Sequence, residues 1–185
     1  MKYRRNGQAA GQGARECLDE AHVVHGSLSR RKETTVTNVL VVYHSLSGQT
    51  KKMAEAVSEG AARVPGTTVS LKTGLEATID DLLACDAIAI GSPDYFSYMA
   101  GGIKDFLDRT YYPSQGKVNG KPAVTFGSAG GPPEKVLQCL DQALAWFKLK
   151  KVADSVGASG GVGPEALEQC TALGKKLAEA AKKGG

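Results

Sequence analysis

What the chain lacks narrows its chemistry first. None of its 185 residues belongs to an unbroken apolar run of the roughly 20 residues that a membrane-spanning helix needs. The basic residues at the amino terminus (Lys2, Arg4, Arg5) have no apolar segment behind them, which is not the pattern of a secretory signal. The expectation is a cytoplasmic protein. The four cysteines (Cys17, Cys85, Cys139, Cys170) form no CxxC pair, and the three histidines (His22, His25, His44) are scattered, so neither set has metal-site spacing. Cys139 and Cys170 fall in helical apolar patterns, where a free thiol behaves as a small hydrophobe. The one tryptophan, Trp146, stands beside Phe147 in a helical pattern and is expected in helix packing.

A large single-signed charge is also missing. The net charge is +4, but residues 1–36 hold seven Lys/Arg against four Asp/Glu, which leaves 16 against 15 for the rest. A near-neutral body offers no phosphate-binding face for nucleic acid. Residues 1–36 also lack apolar periodicity, and Gly7, Gly11, Gly13 and Gly26 recur among polar residues. They are read as an N-terminal extension, flexible or loosely attached, preceding one domain over residues 37–185.

From Thr37 the pattern is regular. Val39–Tyr43 and Ala87–Ile90 are continuous apolar runs, as expected of parallel strands buried on both faces. Thr67–Leu71, Pro122–Phe126 and Val152–Val156 read as three further strands. Between and after them come helical stripes: Met53, Ala54, Val57 and Ala61; Ile79–Ala84, entered through Thr78; Ile103, Phe106 and Leu107; Val136, Leu140 and Leu144; Leu167, Cys170, Leu173 and Leu177. Five strand–helix units in strict alternation predict an α/β fold with three αβα layers, a parallel sheet and right-handed crossovers. Ligands of such sheets bind beyond the carboxyl ends of the strands.

Three loops at that rim are unusual. Ser45-Leu46-Ser47-Gly48-Gln49-Thr50 joins the first strand to a helix start, bringing three hydroxyls and a glycine to a set of free amide N–H groups. Such a helix start binds anions. It is not a nucleoside triphosphate loop, because Gln49 rather than lysine follows Gly48, and no GxGxxG dinucleotide fingerprint is present. Neutral hydroxyls suit a terminal monophosphate. The third strand runs into an aromatic-rich loop, Gly91–Gly101, and the fourth into Gly127-Ser128-Ala129-Gly130-Gly131-Pro132-Pro133.

Ser45–Thr50 resembles the flavodoxin phosphate loop, [ST]-x-[ST]-G-x-T, and Gly91–Gly101 resembles the flavin-ring loop of flavodoxin-type NAD(P)H:quinone reductases. The resemblance spans about Asn38 to Lys182 in order. It implies a flavodoxin-like fold with a five-stranded sheet of order 2-1-3-4-5. It further implies FMN held at its phosphate by Ser45, Leu46, Ser47, Gly48, Gln49 and Thr50. Ser92, Pro93, Asp94, Tyr95, Phe96, Ser97 and Tyr98 would line the ribityl chain and ring, with Ser128, Ala129, Gly130 and Gly131 as a third wall. The protein would leave the redox chemistry to FMN, with NADH or NADPH as electron donor and a quinone or other small acceptor. The alternative is a one-electron carrier to redox protein partners, and a homo-oligomer stays open. Two departures bear on this choice. Ser97 replaces the glycine common in the reductases, and Pro132-Pro133-Glu134 replaces their histidine- and glycine-containing stretch. With no glycine in Phe96–Met99, a peptide flip is expected to be disfavoured, which points to two-electron chemistry.

Overall fold

The computed structural model of the chain describes residues 36–184, so the expected extension lies almost wholly outside the described residues. The alternation read in the sequence is realised as β1 (Thr37–Tyr43), α1 (Gln49–Ala62), β2 (Thr67–Thr73), α2 (Ile79–Ala84) and β3 (Ala87–Tyr95). These are followed by β4 (Tyr98–Met99), α3 (Gly101–Ser114), β5 (Pro122–Ala129), α4 (Glu134–Trp146), β6 (Lys150–Lys151), β7 (Val156–Ser159) and α5 (Pro164–Gly184). The strands form a parallel sheet of order β2-β1-β3-β5-β6, with β7 also paired to β5.

Burial on both faces explains the unbroken apolar runs. Val39 and Val41 of β1 point to one core with Met53, Val57, Cys170, Leu173 and Leu177 of α1 and α5. Leu40 and Val42 point to the other, with Leu82, Ile103, Phe106, Leu140 and Leu144 of α2, α3 and α4. On the first side α1 and α5 approach backbone to backbone. A Cβ added at Gly60 would lie 1.9 Å from the Thr171 carbonyl oxygen, and one at Gly174 would lie 1.9 Å from that of Val57. Short α2 is fastened at both ends. Thr78 and Asp81 form a reciprocal capping box, and Lys121 Nζ donates to the carbonyls of Leu82, Leu83 and Cys85 at 3.0, 2.7 and 2.6 Å. Among the described residues no helix is long and apolar enough to cross a membrane.

Three expectations are revised. The fifth strand is broken into β6 and β7 around residues 152–155. There Ser155 Oγ donates to Asp141 of α4 at 3.0 Å, Thr125 Oγ1 lies 2.7 Å from the same carboxylate oxygen, and Lys151 pairs with its partner oxygen at 2.6 Å. This polar cluster draws Ser155 out of the ladder. Secondly, β3 runs on to Tyr95 and turns back as β4, an antiparallel hairpin arm where a loop was expected. Thirdly, Trp146 is 54% exposed at the end of α4 instead of packed between helices.

Candidate functional site

A cleft of about 400 Å³ opens at the carboxyl edge of the sheet, where four loops meet. Ser47 and Gln49 come from the β1–α1 loop, Pro93, Asp94 and Tyr95 from β3, Ser128, Ala129 and Gly130 from the end of β5, and Gly160 and Gly161 from the loop after β7. None of the described residues lining it is a lysine or arginine.

The first loop is shaped by Gly48, the N-cap of α1, whose φ of 82° lies in the left-handed region that glycine reaches without strain. No side chain caps this helix, and its first backbone bond runs from Lys52 N–H to Gly48 O at 3.1 Å. Among the described residues the amides of Ser45 through Lys51 have no intramolecular acceptor. Ser45 Oγ is buried and also without a partner. Buried polar groups are nearly always satisfied, and a concentration of free donors at a helix N-terminus is chemically suited to an anion. The residues present therefore fit a phosphate group without needing a cation.

The loops are tied to one another. Buried Thr50 Oγ1 lies 2.8 Å from Ser128 Oγ, and Gln49 Oε1 accepts from Val162 N–H at 3.1 Å. Ser92 is fully buried; its Oγ accepts from Ala100 N–H and donates to Pro93 O, both at 2.8 Å, which closes the base of the hairpin. At the tip, Tyr95 pairs with Tyr98 across the two-residue turn Phe96-Ser97. Both turn residues have positive φ, 58° and 63°, and Ser97 N–H donates to Asp94 Oδ1 at 2.7 Å. A primed turn needs that conformation, normally supplied by Asn-Gly. Left-handed backbone is therefore populated here without glycine. The Tyr95 ring meets His44 edge-on, centroids 6.2 Å apart.

Of the residues expected at the site, Ser47, Gln49, Pro93, Asp94, Tyr95, Ser128, Ala129 and Gly130 line the cleft. Ser45, Gly48, Thr50 and Ser92 stand behind or beside it and shape the loops. Leu46 and Phe96 are not among the lining residues and project outward, 79% and 103% exposed, and Gly131 is likewise not part of the lining. Ser97 and Tyr98 line a different groove, against α4. Gly160 and Gly161 were missed. Their signal was the glycine-rich stretch Gly157–Gly163 directly after the fifth strand. Desolvation raises the buried thiols, Cys85 to about 11 and Cys170 to about 12, which disfavours the thiolate form.

A three-layer parallel sheet with an unsatisfied amide loop after its first strand, facing a slot between the loops of its third and fifth strands, defines the flavodoxin-like class of FMN-binding folds. Within that class the chain belongs to the NADPH-dependent FMN reductase family, which it matches over residues 63–162, more than half its length. It is 44% identical over 93 residues to a flavodoxin of Aquifex aeolicus, covering 50% of each chain. To an NAD(P)H dehydrogenase (quinone) of Geobacter sulfurreducens it is 34% identical over 129 residues, covering 54% of this chain and 64% of the other. The chain thus spans between half and two thirds of the length of these curated relatives. Among solved structures, a flavodoxin from the domain Archaea superposes with a TM-score of 0.71 at 28% identity, covering 79% of this chain and 99% of the other. A WrbA-like flavodoxin of Agrobacterium tumefaciens gives 0.67 at 25% identity, covering 80% and 99%.

Proposed function

We propose that the chain binds FMN non-covalently in the carboxyl-edge cleft and acts as an NAD(P)H-dependent oxidoreductase on a quinone or another small acceptor in the cytoplasm. The observation that carries this reading is the run of unbonded amides from Ser45 to Lys51 around the orphaned Ser45 hydroxyl. Bound FMN would supply the electron transfer itself, and the protein supplies binding and orientation. The amides and the hydroxyls of Ser45, Ser47 and Thr50 hold the phosphate. Pro93, Asp94 and Tyr95 flank one side of the slot, and Ser128, Ala129 and Gly130 form the opposite wall, with Gly160 and Gly161 closing the rim. His44 braces the Tyr95 ring. The wall from Gly127 to Pro133 contains no aromatic residue, which leaves room for a second flat ligand such as a nicotinamide. The family's description and the quinone dehydrogenase relatives support this assignment.

The test separates phosphate reading from ring binding. Substituting Ser45→Ala and Ser47→Ala together should weaken FMN by about 100-fold or more, since each hydrogen bond to a charged group contributes roughly 1.5–3 kcal/mol. Riboflavin affinity should hardly change; an equal loss for both ligands refutes the assignment. A carrier role is the second reading, favoured by the similarity to the Aquifex flavodoxin. Electron uptake in one paired stage, with NAD(P)H oxidised at the expense of a benzoquinone, supports the enzyme. Stepwise uptake without NAD(P)H oxidation supports the carrier. The same reading takes residues 37–185 as the working domain, so a chain lacking residues 1–36 should keep its flavin and melt within a few degrees of the full chain.

A further inference from the structure

The cleft has a single aromatic surface. Among the described residues that line it only Tyr95 carries an aromatic ring, so the tilt of that ring decides what the cleft offers a flat ligand. Tyr95 is the last residue of β3, beside the turn Phe96-Ser97, and is half-buried. Its one aromatic partner among the described residues is His44, which meets it edge-on with ring planes at 84°. His44 does not itself line the cleft.

The imidazole is held on more than one side. His44 N–H donates to the Gly91 carbonyl at 3.1 Å, which carries the β1 ladder one residue past Tyr43 and sets where the side chain leaves the backbone. The start of α3 is the other neighbour. A Cβ built at Gly102 would lie 2.5 Å from His44 Nδ1, 3.3 Å from Cε1 and 3.4 Å from Cγ, and these ring atoms are the nearest it would meet. The imidazole therefore occupies the space that a side chain at residue 102 would take. The helix start cannot retreat, because a Cβ at Gly74 would already collide with the Gly102 carbonyl. Gly74 is fixed in turn: its N–H donates to the Tyr43 carbonyl and its carbonyl accepts from Arg109 Nη2, both at 2.9 Å. A ring packed between a fixed helix start and Tyr95 passes its own position on to Tyr95, since close-packed side chains leave no slack to absorb a shift.

We infer that His44 is a positioning residue for the flavin ring. Seated in the gap left by Gly102, it sets the tilt of Tyr95 against the isoalloxazine and acts on ring binding independently of the phosphate loop. The inference rests on the FMN-binding reading of the cleft.

The full-length protein and its variants are titrated with FMN and, separately, with riboflavin. His44→Ala should weaken both by the same factor, roughly two- to tenfold, the range for one lost aromatic pair. It should also brighten the bound flavin, because a tyrosine stacked less closely on the isoalloxazine quenches its fluorescence less. His44→Phe keeps a ring edge of similar size and should restore affinity and emission to within about twofold of the parent. Gly102→Ala displaces the imidazole and should reproduce the loss, yet add nothing in a His44→Ala background, where the ring it would strike is gone. Unchanged flavin affinity and emission in His44→Ala, with only a lower melting midpoint, make His44 a packing residue and overturn the proposal. So do a loss for FMN that riboflavin does not share, and equal effects of Gly102→Ala in both backgrounds. If His44→Ala does not fold, Gly102→Ala decides, and parental affinity and emission in that variant overturn the proposal. A parent protein that takes up neither flavin refutes the FMN reading and the proposal with it. A parent that binds both, beside an indistinguishable His44→Ala variant, refutes the proposal alone.

Discussion

Replacing Gly174 by alanine should destabilise the protein, although alanine is the better helix former. The structure sets the size of the effect. The new Cβ would sit 1.9 Å from the Val57 carbonyl oxygen, whereas ordinary contact begins at 3.4 Å, so α1 and α5 would have to separate by about 1.5 Å. The clashing atom is backbone, so no side-chain rotation relieves it. Parting the helices loosens the buried contacts of Val57, Ala61, Cys170, Leu173 and Leu177 together. Overpacking of this kind costs about 1–3 kcal/mol, and the rigid contact puts it at the upper end. The gain in helix propensity from glycine to alanine offsets about 1 kcal/mol. The net loss is about 2 kcal/mol, which for a domain of this size lowers the melting midpoint by about 4–8 °C. Thermal melts followed by circular dichroism measure it. Gly101→Ala is the control, because a Cβ there meets nothing within 4 Å and the substitution should be neutral or stabilising by up to about 1 kcal/mol. If Gly174→Ala melts at or above the parent protein, propensity outweighs packing and the close approach of α1 and α5 is not what the geometry shows.

Three further outcomes are expected. Ser97→Gly should stabilise the protein by about 1 kcal/mol, because glycine adopts the φ of 63° without strain; a lower denaturation midpoint would contradict this. Lys121→Met removes the Nζ that bonds three carbonyls at the end of α2 and should cost about 2 kcal/mol in urea unfolding, while a neutral result would show those carbonyls satisfied by water. Burial pushes the Asp81 carboxyl up, but hydrogen bonds from Lys72 and from the Thr78 backbone and hydroxyl outweigh it and hold the group below its ordinary range. Its stabilisation is then complete above the unfolded carboxylate range and is lost as pH falls through the lower folded value. The stability gap between the parent protein and Asp81→Asn should shrink below about pH 4, and a gap independent of pH would contradict the assignment.

How much could be read in advance follows the range of the forces involved. The apolar runs at Val39–Tyr43 and Ala87–Ile90, the start of α2 at Thr78 and the loop at Ser45–Thr50 that leads into α1 were legible because each is decided within a few neighbouring residues. The sequence by itself determined the layered parallel sheet and the rim at which its loops open a cleft, since strict alternation leaves few other topologies. Only the tertiary structure decided the rest. Asp141 reaches Thr125 and Ser155, 16 and 14 residues away, and so breaks the fifth strand. Thr50 meets Ser128 across 78 residues and Gln49 meets Val162 across 113, which brings Gly160 and Gly161 to the cleft as a fourth wall. The hairpin turn forces Phe96 and Ser97 into a conformation that their own side chains disfavour, held by pairing of Tyr95 with Tyr98 and by Asp94. Trp146 has the local pattern of a packed residue, yet among the described residues no element covers the end of α4, and its ring is half exposed. Local pattern sets propensity and periodicity; which side chains meet depends on chain closure over many tens of residues, and no short window contains that information.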